Sequence, residues 1–180
     1  MKRSFTALDP REALHIAIFI EERNAELYHR FAEMFVEFGD PDAAEIANVF
    51  WEMAVEERRH SSLLQAKYAE FYGNAHCTLT EEDLVEFIEV PRLEAELFAD
   101  DAGNRLHARG RALKVALEAE VTAHIFYCSL AEKAQPGPMR QIYQQLAQME
   151  DSHVEYLEAK LEQNCNQDPA GDSVEQTSIH

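Results

Sequence analysis

Basic side chains are scarce in this sequence: 16 Lys and Arg stand against 34 Asp and Glu, for a formal net charge of −18. That balance excludes a nucleic-acid partner, because phosphate backbones are held by basic patches. Cysteine is rarer still, with only Cys77, Cys128 and Cys165 and no Cys-x-x-Cys anywhere. A disulfide framework, a zinc ribbon and a rubredoxin-type iron site are all excluded, and a reducing cytoplasm is the expected location. Long apolar runs are also missing. The best one, Leu14 to Ile20, is interrupted by His15 and preceded by Pro10, Arg11 and Glu12, so neither a membrane span nor a signal peptide is expected. Glycine and proline number six each, few enough to leave long helices unbroken.

What remains is 180 residues with 46% apolar content, enough for one sizeable helical core. Four long helices are legible. Asp9 is placed to cap the first and Pro10 to open it, and Gly39 stops it near Phe38. Asp40 and Pro41 start the second, which runs to about Tyr72 before Gly73-Asn74. The third reads from about Asn104 to Lys133, and Gln135-Pro136-Gly137-Pro138 separates it from a fourth, from about Met139 to Asn164. The connection at about 74–103 is a long crossover, with a short helix expected from Thr80 through Ile88. Residues 1–164 are expected to form one domain, and residues 165–180 a disordered tail.

The sequence Glu-x-x-His places a carboxylate and an imidazole one helical turn apart, close enough to share one metal ion. It occurs four times: Glu12/His15, Glu26/His29, Glu57/His60 and Glu150/His153. Helical register separates them. The first helix has an apolar stripe at Leu14, Ile18, Ala25, Tyr28, Ala32 and Phe35, whose missing member is Glu21; Glu12 and Glu26 lie off it. The second helix runs Ala47, Phe50, Ala54, Glu57, Ser61, Leu64 and Tyr68, with His60 beside the seam. The third has Leu113, Leu117, Glu120, His124, Tyr127 and Ala131, and the fourth Tyr143, Leu146, Glu150, His153, Leu157 and Leu161.

The chain therefore repeats itself. Each hairpin pairs a helix bearing an inward Glu, followed seven residues later by Tyr (Glu21 and Tyr28, Glu120 and Tyr127), with a Glu-x-x-His helix. The heights also agree. Glu21 precedes Gly39 by 18 residues and Glu57 follows Pro41 by 16; Glu120 precedes Gln135 by 15 and Glu150 follows Pro138 by 12. At about 1.5 Å per residue, partners differ in height by no more than roughly one turn. Four carboxylates buried together need compensation, which two divalent cations supply. Oxygen and imidazole donors without thiolate point to iron first and manganese second.

A Glu from two helices and a Glu-x-x-His from two others is the ligand pattern of ferritin-like carboxylate bundles. At these residues, and at Ala17-x-x-x-Glu21 and Ala116-x-x-x-Glu120, the sequence resembles the rubrerythrin branch of that family, in its erythrin-like form without a rubredoxin domain. The resemblance covers roughly Arg11 to Leu161 and implies an all-α, ferritin-like four-helix bundle made of two repeated antiparallel hairpins. It further implies that Glu57 and Glu150 bridge two iron ions, oxo- or hydroxo-bridged when oxidised. Glu21 and His60 would complete one iron and Glu120 and His153 the other. Tyr28 and Tyr127 would hydrogen-bond to the carboxylates. Ala123 stands where rubrerythrins usually carry a further Glu, and His124 follows it.

The activity implied is that of a non-haem di-iron oxidoreductase reducing hydrogen peroxide or dioxygen, a peroxidase of oxidative stress. Its electrons would come from an external donor and its assembly would be a homodimer. The alternative is a ferroxidase or iron-storage protein with the same ligands. Trp51 and Met53 are read as packing residues; His29, His76, His107 and Cys128 are assigned no role.

Overall fold

The computed structural model describes residues 8–39, 41–73, 79 and 105–167. Among these the regular structure is four α-helices: α1 Pro10–Phe38, α2 Pro41–Tyr72, α3 Arg105–Lys133 and α4 Pro138–Gln167. No strand occurs among the described residues. The Asp40 cap, the short helix expected from Thr80 and the tail beyond residue 167 lie outside them. Helix α4 continues to Gln167, three residues past the expected end at Asn164.

Helix α1 begins where the sequence places it. Asp9 Oδ1 accepts from the backbone N–H groups of Arg11 and Glu12 at 2.8 Å each, and Glu12 Oε2 accepts from the Asp9 N–H at 3.1 Å. This reciprocal capping box satisfies backbone donors that no helical carbonyl can reach. It also gives Glu12 a local task, separating Glu12/His15 from the metal-ligand candidates. At the other end Gly39 turns left-handed, with φ 70°, a conformation glycine adopts without a Cβ clash.

Two compact units make up the chain. The first draws on residues 1–90 and 127–146, the second on residues 91–126 and 147–180. In the first unit α1 and α2 pack as an antiparallel hairpin: His15 lies against Tyr68, Glu21 against His60, and His29 against Trp51. Its core is aromatic, with Phe50 meeting Tyr28, Phe31 and Phe35 at centroid distances of 6.0, 5.2 and 5.9 Å. In the same unit Tyr127 of α3 stacks on Tyr143 of α4 at 6.4 Å. In the second unit α3 and α4 pair antiparallel, with His124 facing Ala147, Glu120 facing His153 and Gly110 facing Asn164. Its apolar interior includes Leu113, Val115, Ala123, Phe126 and Leu157, all buried. Paired helical hairpins of this kind are the elements of a ferritin-like bundle. Among the described residues no helix is long and apolar enough to cross a membrane.

Candidate metal centre

Each unit holds one half of the expected ligand set. In the first, Glu21 of α1 and Glu57 and His60 of α2 come together because their positions fall on the buried faces of the hairpin. Glu21 and Glu57 are 0% exposed and His60 is 5% exposed. His60 Nδ1 lies 3.1 Å from Glu21 Oε2 and 3.5 Å from Glu57 Oε2. One ligand atom from each of the three lies within 4.8 Å of the others.

The second unit repeats this arrangement. Glu120 of α3 and Glu150 of α4 are 0% exposed. His153 Nδ1 lies 3.3 Å from Glu120 Oε2 and 3.6 Å from Glu150 Oε2, and ligand atoms of the three again lie within 4.8 Å of one another. In both units the imidazole presents Nδ1 to both carboxylates. A cation seated among these oxygens would take Nδ1 as its nitrogen ligand.

The donor sets fit a divalent metal. Two carboxylates without solvent contact and one imidazole leave two negative charges in each half-site, and a dication offsets them. The donors are oxygen and nitrogen only, as iron and manganese prefer and as a structural thiolate zinc site does not.

Both tyrosines are buried. The Tyr127 hydroxyl donates to Glu21 Oε1 and lies 3.5 Å from the Ala17 carbonyl. It therefore reaches the carboxylate of the other repeat. Tyr28 is 0% exposed, with its ring stacked on Phe50. Tyr127→Phe is expected to loosen Glu21 and weaken metal binding by about 10–100-fold. A ferrous titration of both proteins checks this, and an unchanged affinity would show that the hydroxyl does not hold the ligand.

Neighbours that compete for these roles in the sequence are accounted for. Glu22, next to Glu21, is exposed and accepts from Gln65 Nε2 at 2.7 Å. Glu26 pairs with Arg30 at 3.0 Å, while His29 lies edge-on to Trp51 at 4.6 Å. His124 is half-buried, and its Nδ1 lies 2.8 Å from the Ala147 carbonyl, tying α3 to α4. Sequence reading passed over Asn24, one turn beyond Glu21 and only 7% exposed. Its signal was available: a polar residue beside an apolar stripe, with Ala123 at the equivalent place in the repeat.

Comparison with known proteins returns one family. No curated protein and no solved structure matches the chain. The matched segment contains the first half-site whole; Glu120, Glu150 and His153 lie beyond it, linked to it by the internal repeat. Residues 12–97 match the family model described as Rubrerythrin, so over these residues the chain is similar to that ferritin-like di-iron family.

Proposed function

We propose that the chain is a non-haem di-iron oxidoreductase, each half-site holding one iron, that reduces hydrogen peroxide, or dioxygen, with electrons from a separate donor. The observation that carries this reading is the matched geometry. The shorter His-to-carboxylate distances are 3.1 and 3.3 Å and the longer ones 3.5 and 3.6 Å, around four carboxylates without solvent contact. The similarity to the Rubrerythrin model supports iron in preference to manganese.

Two irons, when bound, would supply the two electrons that cleavage of an O–O bond consumes. Peroxide reduction balances as one hydrogen peroxide, two electrons and two protons giving two waters, with the external donor restoring the electrons. The protein's share is positional. Glu21, Glu57 and His60 would hold one ion and Glu120, Glu150 and His153 the other, with the Tyr127 hydroxyl donating to Glu21. Glu21 and Glu57 themselves have no solvent contact. The family resemblance carries the expectation of a cytoplasmic homodimer.

The test is anaerobic ferrous titration of metal-free protein, then rapid mixing with peroxide or air while absorbance and particle size are recorded. Saturation at about two irons per chain in a small oligomer, with peroxide the much faster oxidant, is the expected result. Oxidation continuing far beyond two irons, or a shell-sized particle, would establish ferroxidase and storage chemistry instead.

A further inference from the structure

Away from the metal ligands, the first unit contains a cavity of about 480 Å³ that no step of the proposed chemistry uses. Its walls come from the start of α1, the end of α2 and the turn between α3 and α4. Leu14, Phe71, Leu130 and Met139 are among its apolar lining residues. The volume falls within the range of small-molecule sites, roughly 300–1,000 Å³. Phe71 is 47% exposed, so the cavity opens at the surface.

Polar groups in the lining are few. Lys133 is the one charged side chain among the described residues that form it, in a chain where acids outnumber bases 34 to 16. The Lys133 ammonium is exposed and hydrogen-bonds to Ser129 Oγ at 2.8 Å, leaving two further N–H donors for a ligand. Tyr143 is only 5% exposed. Burial, and then the neighbouring Tyr72, push its hydroxyl well above the ordinary tyrosine range, so it remains a donor at any physiological pH. A largely apolar chamber with an exposed lysine in its lining matches an amphiphile with an apolar tail and an anionic head.

We propose that this cavity binds a free medium-chain fatty carboxylate, its hydrocarbon chain among Leu14, Phe71, Leu130 and Met139 and its carboxylate at Lys133. Leu14 lies seven residues before Glu21 on α1, roughly 10 Å along the helix. The cavity and the metal ligands are therefore separate sites, and neither proposal depends on the other.

The test uses the full, metal-loaded chain and displacement of a fluorescent fatty acid by octanoate, decanoate and dodecanoate below their micellar concentrations. Each methylene buried is worth about 0.8 kcal/mol, so affinity is expected to rise about fourfold per added carbon until the chamber is filled, then level off. Lys133→Gln is expected to weaken decanoate roughly two- to fivefold and leave decanol unchanged. Ala134→Trp, at a half-buried position in the lining, is expected to abolish binding of both while ferrous stoichiometry stays the same. No saturable displacement, an affinity indifferent to chain length, or equal binding to Ala134→Trp would each overturn the proposal. Decanol bound as tightly as decanoate by the unsubstituted chain would overturn its anionic half.

Discussion

Glu57→Gln is expected to make the metal-free protein more stable and the metal-loaded protein less so. The substitution preserves volume and removes one negative charge from a position with no solvent exposure, 3.5 Å from His60 Nδ1. Without metal, Glu21 and Glu57 are two carboxylates with no solvent contact beside one imidazole, so removing one acidic group relieves their mutual repulsion. With metal the sign reverses. An ion that binds only the folded chain stabilises it by about 4 kcal/mol at a thousandfold excess over Kd, or roughly 8–16 °C in Tm for a chain of this size. Glu57→Gln forfeits most of that gain. Thermal melts of both proteins, with chelator and with anaerobic ferrous iron, read both signs in one experiment. If Glu57 is only a structural acceptor, the variant melts lower in chelator as well, and the metal-ligand assignment fails.

The opposite signs matter because burial alone is ambiguous between a ligand and a packed carboxylate. Register and repetition are the features of the sequence that single out these carboxylates. Glu21 and Glu120 share a seven-residue spacing to Tyr that the nearby Glu22 and Glu118 lack, and Glu21, Glu57, Glu120 and Glu150 are 0% exposed while Glu22 and Glu118 face solvent. Helix boundaries were equally legible where the chemistry is local, as at Asp9-Pro10, Gly39 and Pro138, because caps and breakers act within a few residues. Features fixed by tertiary packing were not legible. Ile18, Leu117 and Tyr68 sit on the predicted stripes yet are only half-buried, whereas Ile16, Ala17 and Ile20 are closed off. A helix touching more than one neighbour buries an arc wider than a single stripe, and its centre follows from packing rather than from spacing. The Tyr127 bond to Glu21 has the same origin: its partner is 106 residues away, and only the rotation of α3 about its axis selects it. His124 likewise found the Ala147 carbonyl, a partner no motif specifies.

Phe50→Ala carries the largest stability loss expected of any single core substitution in the first unit. The ring is 0% exposed and lies where three aromatics of α1 converge: Tyr28 and Phe35 nearly parallel at interplanar angles of 23° and 11°, and Phe31 tilted at 62°. Truncation removes the ring's transfer free energy and leaves a cavity walled by stiff rings that cannot collapse into it. A loss of about 3–5 kcal/mol follows, equivalent to roughly 6–20 °C in Tm, and Phe50→Leu should recover most of it by refilling the volume. Phe50 precedes Glu57 by seven residues on α2, so the hole opens two turns from the ligands on the same helix. The expected signature is therefore low stability with ferrous stoichiometry intact, measured by denaturant unfolding alongside iron titration. A loss below about 1 kcal/mol would mean that the aromatic cluster is not the core of the hairpin. A large loss accompanied by loss of iron would mean that Tyr28, released from Phe50, no longer steadies the helix that presents Glu21.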